Sequence, residues 1–290
     1  MKEHNLGSFP YRVSDDPLEY APTISVVIPN KDRLDSLIRA VESVKEQNYK
    51  NLEIIIVDDS RIDLFNAILK QFRDTINIKV VRGDARGDAA ARRKGVDAAN
   101  GEIVAFLDSD DRWLPQKIDS HLAMWKRNVE VGFTWDLWED GNGFHGKIPE
   151  ILPDYNATYL KIPRNKIFSN LWLIGNFIHM SSGMAKKASI EAIGGFPVTS
   201  PCDWHLWLLL SSKYDGGLIN KICTVKESGE LTLGTNKKVL IREFRETVKF
   251  RFLMFKYLQL RGDFKLLLLF RRFIIMYTYW LYILIHPKSK

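Results

Sequence analysis

The sequence predicts an α/β fold: a mostly parallel central sheet flanked by helices, with amphipathic helices after it at the C-terminus. Three observations predict it. Short β-branched apolar runs alternate with helical patterns of about a dozen residues from Thr23 onward. Three of the first four runs stop at polar residues, Pro29-Asn30, Asp58-Asp59 and Asp108-Ser109-Asp110. The last seventy residues are basic and apolar in a helical period.

The elements follow in order. The first twenty-two residues carry three prolines and no sustained period, so they read as an arm. Ile24 to Pro29 is a buried strand that stops at proline. Leu34, Leu37, Ile38, Val41 and Val44 recur at helical spacing. Leu52 to Val57 is a second strand, Asp63 to Phe72 a helix and Ile76 to Val81 a third strand. An Ala-rich helix over Asp88 to Ala99 is closed by Asn100-Gly101, and Ile103 to Leu107 is a fourth strand. Strand–helix alternation implies parallel pairing with right-handed crossovers, which gathers ligands at the carboxyl ends of the strands. Carboxylates stacked on one such edge repel each other unless a cation or ligand donors hold them. Helix caps would explain any one of them, but not all three together.

Beyond Pro115 an amphipathic helix runs to about Lys126, and Val131 to Glu139 alternates as a strand. Gly141 to Pro163 reads as loop and Ile167 to Ile174 as helix. Ser181 to Ala185 is strand-like, Ala188 to Ile193 a short helix, Asp203 to Leu210 a Trp-rich helix and Leu218 to Val225 a strand. The domain division expected is an arm over 1–22, a catalytic domain over 23–226 and a tail over 237–290. The catalytic domain divides into a nucleotide-binding half, 23–114, and an acceptor-binding half, 115–226.

Composition excludes several classes. A chain of 290 residues with 46% hydrophobic and 27% charged residues is long and apolar enough for a large core and is not a disordered polypeptide. Two cysteines, Cys202 and Cys223, give neither a disulfide framework nor metal-ligand spacing, so reduced thiols are expected. The polar N-terminus has no apolar leader run, which points to the cytoplasm. The net charge of +7 is unevenly spread: residues 221–290 hold fifteen Lys and Arg against five Asp and Glu, and the preceding 220 hold 27 against 30. A basic tail on a near-neutral body suits an anionic surface.

The sharpest chemical signal is Phe106-Leu107-Asp108-Ser109-Asp110-Asp111, a D-x-D at a strand end. Hard divalent cations take carboxylates together with substrate phosphates. Around it the chain resembles family 2 glycosyltransferases. Ser25 to Pro29, Leu37, Ser43-Val44, Gln47 and Glu53 to Ser60 are similar to that family's opening block. Ala91-Arg92, Gly95 and Gly101 to Asp111 are similar to its next block, and Gly194-Gly195-Phe196 with Asp203 to Leu208 to its last.

The resemblance covers about residues 22–212 and implies a GT-A fold, a nucleotide-sugar donor, a Mn²⁺ or Mg²⁺ ion and inversion at the anomeric carbon. It implies that Pro29 and Asn30 line the nucleotide pocket and that Asp59 accepts a hydrogen bond from the base, with Asp58 as a cap on the next helix. Arg92 would approach the donor phosphates or sugar, its alternative being a solvated helix face. Asp108 would contact the ribose or the metal, Asp110 would ligate the metal, and the alternative for Asp111 is a helix cap. Asp203 would be the catalytic base, a helix cap after Pro201, or both at once. Cys202 stands where the family usually has Glu, Arg93 where it often has Asn, and the first strand lacks the aromatic usual near the base. No Q-x-x-R-W follows Asp203, so a single-addition enzyme is expected rather than a processive synthase.

The tail adds a second theme. On one helix Lys238, Arg242, Arg245, Lys249 and Lys256 fall within an arc of about 60°. The longest uncharged run beyond them, Phe273 to Ile285, is too short to span a bilayer. With Tyr277, Tyr279, Trp280 and Tyr282 beside basic residues, the expectation is peripheral attachment to an anionic membrane surface at the cytoplasmic face. The alternative is packing on the catalytic domain or on a second copy, giving a homo-oligomer. The expected function is transfer of one sugar from a nucleotide-sugar donor, UDP-linked, to a saccharide or polyprenyl-linked saccharide in cell-surface polysaccharide synthesis. The alternative is a protein that binds nucleic acid or membrane through its tail, with a silent sugar-binding domain. No nucleic-acid motif is present, so nucleic acid is not expected as a partner.

Overall fold

The computed structural model describes residues 21–73, 75, 77–140 and 157–227. The expected arm falls almost wholly outside them, and the expected tail helices wholly outside them.

Among the described residues nine strands form one sheet in the order β3-β2-β1-β4-β8-β6-β9-β5, with β7 also on β9. The first half is β1 (Ile24–Asn30), α1 (Leu34–Lys45), β2 (Leu52–Asp58), α2 (Ile62–Phe72), β3 (Ile78–Arg82), α3 (Asp88–Ala98) and β4 (Ile103–Phe106). β1 pairs in parallel with β2 and β4, and β2 with β3. The second half is β5 (Asp111–Trp113), α4 (Lys117–Arg127), β6 (Phe133–Asp140), β7 (Tyr159–Ile162), α5 (Arg164–Leu173), a 3-10 turn (Met180–Ser182), β8 (Gly183–Lys186), α6 (Lys187–Ala192), α7 (Cys202–Ser211) and β9 (Gly216–Lys226). β8 runs antiparallel to β4 and β6, so the sheet changes direction beside the fourth strand.

Period-two alternation divides the core into two layers. Ile24, Val26 and Ile28 of β1, Ile54 and Ile56 of β2, and Ile103 and Ala105 of β4 face one side, with Leu37, Val41 and Val44 of α1, Ile68 and Phe72 of α2, and Ile118 and Trp125 of α4. Val27, Ile55, Val57, Val104 and Phe106 face the other, with Val96 of α3, Phe168 and Leu171 of α5, and Trp204, Trp207 and Leu210 of α7. This is why the strand sequences are apolar at nearly every position: both faces are covered by helices. Close approach needs small residues at two crossings. A Cβ on Gly95 of α3 would lie 2.3 Å from Val27, and one on Gly183 of β8 would lie 2.3 Å from the Trp207 ring.

Two strands were not expected. β5 is only three residues long, too short for any period, and it exists because it pairs with the end of β9. β7 lies in the stretch read as loop and pairs with the beginning of β9. The helix expected from Ile167 starts at Arg164, and the strand expected from Ser181 begins as a 3-10 turn. Asp111 is therefore not a helix cap. It opens β5 as a buried carboxylate.

Candidate active site

The carboxyl ends of β1, β2 and β3 hold each other by hydrogen bonds. Pro29 and Asn30 end β1 opposite Val57 and Asp58. Asn30 donates through Nδ2 to Asp58 Oδ1 at 2.7 Å, and the Ser60 hydroxyl donates to the same oxygen at 2.7 Å. Asp58 is thus a buried acceptor that fixes the edge, not a cap on α2, which begins after Arg61. Asp59 Oδ1 accepts from the Ala85 backbone N–H at 2.7 Å and so anchors the β3–α3 loop. A Cβ on Gly83 would sit 2.0 Å from that oxygen, so a larger residue there would displace the Asp59 carboxylate. The Oδ1 of Asn30 is buried with no hydrogen-bond partner among the described residues.

A charged centre lies next to this edge. Arg92 projects from the second turn of α3, and its side chain is 7% exposed, which overturns the solvated-face alternative. It donates through Nη1 to Asp88 Oδ2 at 2.5 Å and through Nη2 to Asp108 Oδ1 at 2.6 Å. Nη1 also lies 3.3 Å from Cys202 Sγ, so the thiol that replaces the family's usual Glu packs against this guanidinium. Burial pushes the Asp108 carboxyl up, but Arg92 and then His179 outweigh it and hold it below the usual range. Arg93 faces away from this centre. It pairs with Asp97 and donates to the Gly194 and Phe196 carbonyls.

Asp108, Asp111 and His179 each bring a ligand atom within 4.8 Å of the others. Burial, then the charge of Asp108, pushes the Asp111 carboxyl up to about 8. Burial pulls His179 down to about 4, against the pull of Asp108. His179 Nδ1 is buried without a hydrogen-bond partner among the described residues and lies 3.7 Å from Asp111 Oδ2. An imidazole nitrogen without a hydrogen-bond partner beside two carboxylates is a donor set that fits a divalent cation. Asp110 is not brought into this cluster: its carboxylate pairs with Arg33 at the rim. Trp138 lies against His179, ring centroids 5.2 Å apart.

Asp203 sits in the first turn of α7. Its Oδ1 accepts from the Trp204 N–H at 2.7 Å, and its Oδ2 accepts from Asn176 Nδ2 at 2.7 Å. It is the second residue of the helix, so the cap alternative fails. Burial raises its carboxyl above the usual range, against the Trp204 hydrogen bond and Arg92. Two other carboxylates are committed elsewhere. Asp136 is wholly buried against Lys117 and His121, and Asp215 accepts from the Arg164 N–H.

The family described as "Glycosyl transferase family 2" matches residues 25–193. The chain belongs to glycosyl transferase family 2. This glycosyltransferase is 37% identical over 190 residues to the Escherichia coli UDP-Glc:alpha-D-GlcNAc-diphosphoundecaprenol beta-1,3-glucosyltransferase WfaP, covering 66% of this chain and 70% of that protein. It is 26% identical over 219 residues to the Escherichia coli enzyme of the same description, WfgD, covering 74% and 80%. Among solved structures it is similar to Staphylococcus aureus TarS in complex with UDP-GlcNAc, with a TM-score of 0.59 at 18% identity over 72% of this chain and 60% of that one. It is also similar to the Pyrobaculum calidifontis mannosyltransferase PcManGT in complex with GDP-Man and Mn²⁺, with a TM-score of 0.55 at 20% identity over 86% and 68%. These structural likenesses bear out the GT-A fold.

Reading the sequence missed Asp111 and His179 as members of the centre. Asp111 carried a signal, the third carboxylate of the D-x-D run, but its burial depends on β5. His179, which the sequence offers as a core or surface histidine or as a lining of the acceptor side, reaches the centre only through the turn before β8.

Proposed function

We propose that this glycosyltransferase moves one sugar from a UDP-sugar to a saccharide or polyprenyl-linked saccharide acceptor with inversion at C1. The juxtaposition made by Arg92 supports this most strongly. One buried guanidinium touches Asp108 of the acidic cluster and Cys202, the neighbour of Asp203. A donor diphosphate held at the first and an acceptor held at the second would meet across it. The relatives' names support UDP and a lipid-linked acceptor.

Asp108, Asp111 and His179 would hold a Mn²⁺ or Mg²⁺ ion, with Asp110 at the rim. When bound, such an ion neutralises charge that develops on the leaving diphosphate. Arg92 adds a fixed positive charge on the same side, in a site where little water screens it. Pro29, Asn30 and Asp59 line the edge that would take the nucleoside, and the open Asn30 Oδ1 supplies an acceptor there. Asp203 takes the proton from the acceptor hydroxyl as its oxygen bonds to C1 from the face opposite the phosphate. The C1–phosphate oxygen bond breaks, the nucleoside diphosphate departs, and the proton passes from Asp203 to solvent. A carboxyl held above its usual range is a stronger base for that step. Asn176 keeps the accepting oxygen in place.

The tail, residues 237–290, would bring the enzyme to an anionic membrane surface where a lipid-linked acceptor resides. Among the described residues no helix is long and apolar enough to cross a membrane. The function is tested by screening nucleotide sugars for Mn²⁺-dependent hydrolysis and for protection from thermal unfolding. A response to one UDP-sugar that needs Mn²⁺ is expected. No response to any nucleotide sugar would defeat the reading.

A further inference from the structure

We propose that Ser181 is a positioning residue that sets the spacing of the acidic turn, and that a buried Lys117–Asp136 pair holds Ser181 in place. The inference rests on the reading of that turn as the cation site.

Ser181 lies in the 3-10 turn before β8 and is fully buried. Its Oγ accepts from the Asp108 N–H at 3.0 Å and donates to Asp111 Oδ2 at 2.5 Å. One hydroxyl thereby spans the first and last carboxylate residues of the run Asp108 to Asp111. Its single proton goes to Asp111, which orients that carboxylate. Its lone pair takes the backbone at Asp108, which fixes where β4 releases the chain. No other described side chain bonds to both residues.

The backbone under Ser181 is held from below. Trp113 Nε1 donates to the Ser181 carbonyl at 2.9 Å. Lys117 Nζ donates to the Ser182 carbonyl and to Thr224 Oγ1, both at 3.1 Å, and to Asp136 Oδ2. These three acceptors use all three ammonium protons. Asp136 Oδ1 takes the Thr224 hydroxyl at 2.8 Å, and its Oδ2 also meets His121 Nε2 at 2.9 Å. His121 Nδ1 meets Thr134 Oγ1 at 2.7 Å. Neutral His121 with its proton on Nε2 satisfies every polar atom of this set. A closed network of this kind has one arrangement, and through the Ser182 carbonyl it fixes the turn that carries Ser181. Groups outside the site thus determine the geometry of those inside it.

The test measures Mn²⁺ binding by the paramagnetic resonance of free Mn²⁺ in the presence of UDP, for the full chain and for Ser181→Ala. Removing a partner that orients a metal ligand typically costs about 10–100-fold in metal affinity. We expect the Mn²⁺ dissociation constant of Ser181→Ala to rise about tenfold or more, with UDP affinity in the absence of metal nearly unchanged and the metal-free melting temperature lowered by the loss of a buried partner for the Asp108 N–H and the Asp111 carboxyl. The Mn²⁺ concentration for half-maximal transfer should rise in step, while kcat at saturating Mn²⁺ falls far less. Mn²⁺ affinity within twofold of the wild type would overturn the role of Ser181 and leave the cation site standing. If the wild type itself binds no Mn²⁺ with UDP, the reading of the site fails and this inference fails with it. Should Ser181→Ala not fold, Ser181→Cys keeps the shape with a weaker donor, and unchanged Mn²⁺ affinity there counts equally against the proposal.

Discussion

Two buried clusters in this protein each combine a basic side chain, a histidine and aspartate, and they end in opposite states. Lys117, His121 and Asp136 lie beneath the sheet edge with Thr134 and Thr224, and every donor meets an acceptor. Arg92, Asp108, Asp111 and His179 lie on that edge and do not close. His179 Nδ1 and Arg92 Nε have no hydrogen-bond partner among the described residues, and Asp111 is pushed up to about 8. A closed buried network is structure, because its groups have exchanged water for each other. An open one is a site, because its unsatisfied groups gain most from something that arrives.

The comparison breaks if the two clusters respond alike to substitution. The largest effect is expected beside the open cluster. Asp203→Asn retains a side chain of the same shape but cannot accept a proton, so transfer should fall about 10²–10⁴-fold, the usual worth of general-base catalysis. Calorimetric titration with UDP should show donor-site binding retained. Full turnover in Asp203→Asn would move the base elsewhere.

Breaking the closed cluster should act on folding instead. Lys117→Met leaves Asp136 buried without its counter-ion, a change that costs about 3–5 kcal/mol. Urea denaturation should show the loss, and Lys117→Met with Asp136→Leu should recover most of it. A Lys117→Met protein as stable as the wild type would mean that the network is not closed.

Asp111→Asn sharpens the contrast. It replaces a buried carboxyl that burial already pushes up to about 8 with a neutral amide of the same shape, so thermal unfolding without metal should be unchanged or slightly raised in temperature. Mn²⁺ affinity should fall by tenfold or more, since a direct ligand matters at least as much as the residues that orient it. Asp110→Ala should affect Mn²⁺ affinity less, because Asp110 pairs with Arg33 outside the cluster. The reverse ranking would return the main ligand role to Asp110.

The smallest effect is a slope. Burial, then Lys117, pulls His121 from its ordinary value down to about 4, so the folded protein holds it neutral while the unfolded chain protonates near 6.5. Between those values the unfolded state binds the additional proton, so stability is present above about pH 6.5 and declines as pH falls toward 4. His121→Asn should flatten that part of the stability profile measured by urea titration. An unchanged slope would mean that His121 is not held neutral by the network.

The sequence made the parallel half legible because its strands are buried on both faces. Apolar runs such as Leu52 to Val57 followed by Asp58-Asp59 are unambiguous when each strand ends at the ligand edge. It also marked Asp108, through the D-x-D that follows the fourth strand, while Arg92 and Asp203 were marked by the resemblance to family 2 glycosyltransferases. It did not mark β5 or β7, whose existence depends on pairing with β9 more than a hundred and some sixty residues away. Asp111 and His179 were hidden for the same reason: only sheet closure turns one inward and brings the other alongside. Nothing local in the sequence indicates that Asp136, Thr224 and the Ser182 carbonyl converge on Lys117.

Nucleotide affinity measured with and without Mn²⁺ tests the central claim most directly, that the open cluster is the cation site of the donor pocket. UDP is titrated calorimetrically into the wild-type chain and into Asp111→Asn, each in chelator and in saturating Mn²⁺. The account predicts that Mn²⁺ strengthens UDP binding to the wild type and does so little or not at all in Asp111→Asn. Equal UDP affinity with and without Mn²⁺ in the wild type would contradict it.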